Sequence, residues 1–375
     1  PIDTLAAHEL ADLAKVMRQL FDARVSHRDL THENLMRGAE GLVLVDLGGA
    51  RIRRSLDETA FLARLRHTLF GSVRRSQRRR ALALWRKTGP ADEPQTPLLE
   101  QARAIEAGAR RIRRRFLTGR DRRATRSGRH FRRYRTKQCH RAIRACARAD
   151  ERYEAFGDAW INADPDGAVS LKGGDNVLRF EGPDGETLVL KRFGPVLRGR
   201  LPRPLAAFRR AEALRNRGLA VPAPLLAAAK EAGNGIVIRA HVDGTPLYEG
   251  VPGTGAGRRR RLAQIGRELR GWHEEEVTHR DWKSPNLLWS EEEGGRLFVV
   301  DIEGARVKRG PIPWSRRMRD LARLDASLIA SATDRLRVWR AYLRVLPRPP
   351  LSERELLRMV AAHVARKRGP SGRVR

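Results

Sequence analysis

The residues best suited to chemistry lie in the run VTHRDWKSPN and in the apolar stretch that follows it. The run contains Asp281, Lys283 and Asn286, and Asp301 comes directly after a β-branched segment that predicts a strand. Two carboxylates and an amide at this spacing suit phosphoryl transfer, which depends on positioning and on neutralising charge around the γ-phosphate. Asp281 would accept or orient the proton of an attacking hydroxyl, and Asn286 and Asp301 would hold Mg²⁺ between phosphates. Lys283 would reach the γ-phosphate as a point charge.

The same pattern occurs once more, near the start of the chain. Residues 25–34 read VSHRDLTHEN and precede LVLVDLGGAR, just as LFVVDIEGAR follows the later copy. Asp29, Asn34 and Asp46 are therefore the first-copy equivalents of the catalytic and metal residues, although Thr31 replaces the lysine. Self-similarity of this kind predicts two units of one structural type. In the chain as given, no segment before the first copy could supply an N-terminal lobe, so this copy is expected to be a partial lobe. Two interpretations stay open: the natural protein begins earlier and has two tandem kinase domains, or this lobe is a relic retained for packing.

The chain upstream of the second copy contains candidates for binding a nucleotide. Lys191 ends an apolar run, where a lysine carried by a strand could contact phosphates. Glu212 lies within a predicted helix and is the natural ion-pair partner of Lys191. Gly173 and Gly174, in the stretch LKGGDNV, could bring backbone N–H groups close to a phosphate, although the stretch has no full G-x-G-x-x-G.

Strands followed by helices predict an α+β arrangement of two lobes for this copy. The N-terminal lobe is expected over residues 168–243. It should contain a β-hairpin of strands 177–180 and 188–193, a helix at 205–217 and a further strand at 236–241. The C-terminal lobe, expected over 255–368, should be mainly helical outside the motif itself.

These residues resemble the lipopolysaccharide kinase (Kdo/WaaP/InaA-like) family of the protein-kinase-like superfamily. Besides HRDWKSPN, the likeness is carried by VVDIEGARV, by RAEALRNRGLAVPAPLLA (210–227) and by MRDLARLDASL (318–328). It covers about residues 168–345, and about residues 8–85 for the first copy. It implies a bilobal protein-kinase-like fold with ATP and Mg²⁺ as cofactors. The implied reaction phosphorylates a sugar hydroxyl of the lipopolysaccharide core or of a similar cell-envelope glycoconjugate.

Composition suggests three segments and an anionic partner. We expect a partial kinase-like C-lobe over 1–86, an Arg-rich helical linker over 87–150 and a complete kinase-like domain over 151–368. Lys and Arg number 77, of which 68 are Arg, against 44 acidic residues, so the net charge is +33. Residues 103–148 contribute 17 Arg and one Lys against two acids. Such charge implies an anionic partner, which could be nucleic acid, an acidic membrane surface or a phosphorylated substrate. We expect peripheral contact with an anionic membrane, and the family resemblance implies an anionic sugar or glycolipid as acceptor.

Cysteine content and hydropathy limit the possible locations. Cys139 and Cys146 cannot form a disulfide framework and lack the spacing of a zinc site, which favours a reduced environment. No run of about 18 apolar residues predicts a transmembrane helix. The expected location is therefore the cytoplasm, and the resemblance to the lipopolysaccharide kinases implies peripheral binding at the inner face of a bacterial inner membrane.

Other functions stay open on the sequence alone. A Ser/Thr protein kinase would also carry Lys283, but only 19 positions separate Asp301 from Asp320 and no A-P-E sequence follows. A small-molecule kinase of the aminoglycoside or choline type is a third reading. A nucleic-acid-binding protein, a different class, would explain residues 103–148, although their three aromatic residues are too few for a stacking platform.

Overall fold

The structure is a computed structural model of the 375-residue chain. It describes residues 7–27, 30, 32–38, 41–68, 75–89, 97–171, 176–195, 201–292, 295–344 and 352–368. The chain divides into two compact units, residues 1–118 and 119–375, and the division falls within the segment predicted as a linker.

The first unit combines helices with two short β-hairpin-like sheets. Its elements are α1 (Ala7–Asp22), β1 (Val25–His27), β2 (Leu35–Gly38), β3 (Gly41–Leu44), β4 (Ala50–Ile52), α2 (Glu58–Thr68), α3 (Arg75–Lys87) and α4 (Leu98–Arg123), whose last turns belong to the second unit. Aromatic rings of Phe21, Phe61 and Trp85 meet in its apolar core, with centroids 5.4–5.8 Å apart.

The second unit has a strand-rich part followed by a mainly helical part. Its strands are β5 (Phe131–Tyr134), β6 (Arg141–Ala145), β7 (Val169–Ser170), β8 (Val177–Glu181), β9 (Thr187–Phe193), β10 (Pro224–Ala229), β11 (Gly235–Ala240), β12 (Thr245–Pro246), β13 (Val277–His279), β14 (Leu287–Ser290), β15 (Arg296–Val299) and β16 (Ala305–Val307). Its helices are α5 (Arg152–Trp160), α6 (Arg203–Arg215), α7 (Gly255–Glu274), α8 (Trp314–Ser327), α9 (Ala332–Leu343) and α10 (Glu353–Arg368).

One antiparallel sheet of seven strands forms the N-terminal lobe, in the order β5-β6-β10-β11-β9-β8-β7. The hairpin predicted around the GPDG turn is present as β8 and β9, with Val177 opposite Lys191. The predicted helix is α6, which begins after Pro202 and is followed by Gly218 at φ 74°. A left-handed backbone conformation costs glycine little free energy, so Gly218 can end the helix sharply.

The segment expected to be a helical linker, residues 87–150, contains α4, but its residues 131–134 and 141–145 form strands and not helix. Strands β5 and β6 occupy that segment and extend the lobe's sheet, with Ile143 opposite Ala227. Every residue of β10 is buried, so its backbone groups need a hydrogen-bonded strand on each side. β11 satisfies one side, and β6 satisfies the other with the buried run Ala142–Ala145. The lobe therefore begins well before residue 168.

Four helices and the motif strands build the C-terminal lobe around one apolar core. Trp272 and Trp282 are fully buried in this core, with ring centroids 5.3 Å apart. α9 begins at a cap in which Ser331 Oγ accepts the backbone N–H of Asp334 at 3.1 Å. The core fixes the C-terminal end of α7 and the strand β13 that follows, and so the start of the catalytic motif. Among the described helices, none is both long and apolar enough to cross a membrane.

The first unit repeats the strand pairing of the second-copy motif. β1 pairs with β4, with His27 opposite Ala50, and β13 pairs with β16, with His279 opposite Ala305. The second pairs of strands correspond as well, since β2 pairs with β3 and β14 with β15 as antiparallel neighbours. Each copy also has a left-handed non-glycine residue just before its first strand, Arg24 and Glu276.

Candidate active site

The catalytic-motif side chains converge on Asp281. Asn286 Nδ2 donates to Asp281 Oδ2 and to its backbone oxygen, each at 3.1 Å. Lys283 Nζ lies 2.8 Å from Asp281 Oδ1, and this pair is partly exposed to solvent. Each carboxylate oxygen of Asp281 therefore has a donor within the catalytic loop. The predicted grouping of these three residues is present.

His279 links the catalytic loop to the loop that carries Asp301. Its Nε2 donates to the backbone oxygen of Asp301 at 2.7 Å, and its Nδ1 accepts the backbone N–H of Asp281 at 3.0 Å. This pair of contacts requires the neutral ring with the proton on Nε2. Burial lowers the pKa of His279, which keeps the ring neutral, although Asp301 and other nearby carboxylates act in the opposite direction.

A buried carboxylate, that of Asp320 on α8, holds the backbone of this histidine. It accepts the backbone N–H of His279 at 3.2 Å and Nη1 of Arg323 at 2.9 Å. His273 Nε2 lies 3.3 Å from the same carboxylate, and its Nδ1 accepts the hydroxyl of Tyr342 at 2.7 Å. Asp320 and His273 are fully buried, so these hydrogen bonds are shielded from solvent and hold the loop in one position.

Lys191 of β9 contacts the metal-loop carboxylates. Its Nζ donates to Asp301 Oδ1 at 3.2 Å and, more closely, to Glu303. Asp301 is itself placed beside the catalytic loop, because the N–H of the preceding Val300 donates to the backbone oxygen of Asn286 at 3.0 Å. Burial and the neighbouring Asp301 raise the pKa of Glu303, whereas Lys191 opposes that shift. Sequence reasoning predicted Lys191 and Asp301 for the site but missed Glu303.

The predicted pair of Lys191 with Glu212 does not form. Glu212 is buried on α6 and bonds instead to Arg148, which follows β6. Burial raises the pKa of Glu212, and Arg148 is the first of three arginines that oppose this shift. Glu212 pairs with Arg148 and not with Lys191 because the segment predicted as a linker places the Arg148 guanidinium beside α6. The prediction of a helical linker over residues 87–150 did not indicate this contact.

Several predicted residues fall elsewhere. Gly173, Gly174 and Asp29 lie outside the described residues. Asn34 and Asp46 are described, and His27 Nε2 lies 2.9 Å from the backbone oxygen of Asp46, as His279 does from Asp301. Asp46 differs in backbone conformation, since its φ of 56° is left-handed.

The oxygen atoms near Asp301 suit a hard divalent cation. The side chain of Asn286 uses only its amide nitrogen, Nδ2, in the hydrogen bonds to Asp281. Its side-chain oxygen, Oδ1, can therefore still ligate an ion. Among the described residues, no three His, Cys, Asp or Glu side chains form a closed metal cluster. Mg²⁺ commonly binds through one or two carboxylates together with substrate phosphates and water, so Asn286 and Asp301 fit such a metal without a closed cluster.

The second unit has the two-lobed α+β architecture that the sequence predicted for a protein-kinase-like enzyme. Residues 197–361 match the sequence model of the Lipopolysaccharide kinase (Kdo/WaaP) family. The match confirms the family predicted for the second copy and with it the enzyme class, a kinase. It does not extend to the first copy, and Lys191 lies just before it.

Among the solved structures that are similar to the chain, two cover about half of its length. One is described as WaaP in complex with acyl carrier protein, with 22% identity and a TM-score of 0.41, covering 58% of this chain and 93% of that chain. The other is an aminoglycoside-3'-phosphotransferase of type VIII, with 14% identity and a TM-score of 0.38, covering 52% and 93% respectively. None of the curated proteins matches the chain.

Proposed function

We propose that the second unit transfers the γ-phosphoryl group of Mg²⁺-ATP to a hydroxyl of an anionic sugar in the lipopolysaccharide core or a similar envelope glycoconjugate. The observation that carries the proposal is the position of Asp281, whose carboxylate is held by Asn286 and Lys283 next to the loop of Asp301. Kinase membership gives the reaction type, and these contacts give each residue a role.

Asp281 orients the acceptor hydroxyl and takes its proton as the new bond forms. Lys283 and Lys191 approach the nucleotide phosphates from the catalytic loop and from the sheet. Asn286 and Asp301 would hold the divalent ion, which would neutralise charge on the β- and γ-phosphates. His279 keeps the backbones at Asp281 and Asp301 in a fixed relation.

The region after Asp301 favours a compact acceptor over a peptide. Only residues 308–313 separate β16 from α8, which leaves little chain to dock a polypeptide. Arg306, Lys308 and Arg309 are exposed there, and no described carboxylate pairs with them. Arginine and lysine at such a position can bind the carboxylate or phosphate groups of an anionic sugar.

Two further arginines, Arg316 and Arg317, follow these three cations in the sequence but are only partly exposed. Arg317, however, donates through Nε to the backbone oxygen of Ile312 at 2.9 Å and lies over the ring of Trp314 at 5.0 Å. Neither residue of this pair of arginines is fully exposed, so we assign acceptor contact only to the three exposed cations.

The basic hairpin, residues 126–145, supports our proposal of contact with an anionic membrane. Some of its arginines are already neutralised, since Arg132 pairs with Glu151 at 2.7 Å and Arg144 with Glu154 at 3.0 Å. Four more arginines line an open cavity of about 580 Å³, and no carboxylate is among its lining residues, namely Arg126, Ser127, Arg133, Tyr134, Arg135, His140, Arg141 and Ala142. Clustered cations of this kind attract anionic lipid headgroups.

The acceptor assignment is tested by incubating the full chain with labelled ATP. One reaction contains deacylated core oligosaccharide, and parallel reactions contain generic protein substrates or aminoglycosides. We expect label on the sugar, and we expect Asp281→Ala to remove it. Label on Ser or Thr of the proteins, with none on the oligosaccharide, would replace the sugar-kinase proposal by a protein kinase.

A further inference from the structure

The metal loop carries a glutamate whose contacts exceed those of an ordinary loop residue. We propose that Glu303 is the positioning residue that holds Lys191 in place for the nucleotide phosphates, in the role that the sequence pattern gave to Glu212. This inference rests on the proposed function, because it concerns the same ATP site.

The contacts of Lys191 favour Glu303 over Asp301 as its lasting partner. Glu303 is the closer of the two carboxylates to Lys191 Nζ. The side chains of Glu303 and Asp301 are each 27% exposed, so the shorter contact, and not burial, distinguishes them. Asp301 is assigned to the metal and would turn its oxygens toward the ion when nucleotide binds. Glu303 would then be the carboxylate that still restrains the lysine side chain.

Helix α6 offers no carboxylate on the side where Lys191 lies. Ala207 and Ala211, one helical turn apart, line a small cavity of about 20 Å³ together with Lys191 and Glu303. Residues four apart share one face of a helix, whereas the next residue, Glu212, projects about 100° away. Glu212 is held there by Arg148. The two alanines therefore leave the space beside Lys191 to Glu303.

The experiment compares ATP turnover and nucleotide binding in the full chain and its variants. Glu303→Gln keeps the size of the side chain and removes its charge, and Glu303→Asp keeps the charge. We expect Glu303→Gln to lower kcat/KM for ATP about 10- to 100-fold, the range for losing a hydrogen bond between charged groups. Glu303→Asp should recover at least part of this loss. Glu231→Gln, on an exposed turn, is the matched control for removing one carboxylate.

A double-mutant cycle separates positioning from a general structural effect. If Glu303 acts through Lys191, Glu303→Gln should cause little further loss of kcat/KM in a Lys191→Met background, whereas independent structural damage would add to it. Thermal melting of each variant identifies misfolding, and Glu303→Asp decides the question if Glu303→Gln fails to fold.

Three results would overturn parts of this scheme in distinguishable ways. Unchanged kcat/KM in an active Glu303→Gln protein would refute the positioning role. A larger loss in Glu212→Gln than in Glu303→Gln, at equal thermal stability, would return that role to the helix. If the unmodified chain neither binds nor turns over ATP, the proposed function itself fails and the inference fails with it.

Discussion

Asp320 is the buried charge on which the catalytic loop depends, so its removal should affect stability and activity together. Asp320→Ala would leave the backbone N–H of His279 and the guanidinium of Arg323 without their acceptor, and it would remove the partner of His273. Removing one member of a buried, hydrogen-bonded charge pair costs about 3–5 kcal/mol. For a unit of this size, that corresponds to a decrease in melting temperature of about 6–20 °C.

Tryptophan fluorescence is a suitable assay, because six of the seven tryptophans, all except Trp85, lie in the second unit. Melting of the full chain would be followed for the unmodified protein, for Asp320→Ala and for Arg319→Ala, an exposed neighbour on the same helix. ATP turnover below the melting temperature would be measured in parallel, and we expect it to fall in Asp320→Ala. A melting temperature within about 2 °C of the unmodified protein would refute the proposed support of the loop, since the buried partners would then be satisfied without Asp320.

Three further predictions follow from particular contacts. Gly304→Ala would place a Cβ atom 3.0 Å from His279 Cε1 and 3.3 Å from the backbone nitrogen of Arg280. We therefore expect the free energy of unfolding in urea to fall by about 1–3 kcal/mol and kcat to decrease. Gly257→Ala is the control, because its Cβ atom would enter open space and should not be destabilising. Burial lowers the pKa of His273 in the folded protein. The contribution of the neutral ring to stability is therefore complete above the pKa of the unfolded state, near 6.5, and decreases as the pH falls below that value. The urea midpoints at about pH 8 and about pH 5.5 should differ more in the unmodified protein than in His273→Gln. Binding to acidic liposomes should weaken steeply between low and physiological ionic strength. A triple alanine variant of Arg133, Arg135 and Arg141 should bind these liposomes less than a control variant in which the exposed Arg259, Arg260 and Arg319 are replaced by alanine. Equal binding to neutral and acidic vesicles would contradict membrane contact.

The sequence was sufficient where chemistry depends on short spacings along the chain. Asp281, Lys283 and Asn286 lie within six residues of one another, so a turn after β13 brings them together almost regardless of the rest of the fold. Asp301 could be predicted as well, because the antiparallel pair of β14 and β15 returns the chain to the same end of the lobe.

Contacts between distant segments could not be read in the same way. The partner of Lys191 depends on which face of α6 meets the sheet. The sequence of α6 does not give that orientation, because alanines and arginines both recur along the helix. Strand β6 was missed because its four consecutive buried residues match a helix as well as a strand. Its place in the sheet, and with it the contact of Arg148 with Glu212, follows from β10's need for a second neighbour.

The most direct test of the central claim is phosphoryl transfer by the unmodified chain compared with Asp281→Ala and Asp301→Ala. Transfer from labelled ATP to deacylated core oligosaccharide would be measured alongside the affinity for a fluorescent ATP analogue with Mg²⁺. We expect Asp281→Ala to bind the nucleotide almost normally while kcat falls about 10²–10⁴-fold, the usual effect of losing a positioned base. We expect Asp301→Ala to lose turnover completely. Undiminished transfer by either variant would contradict the assignment of the base or of the metal residue in this site.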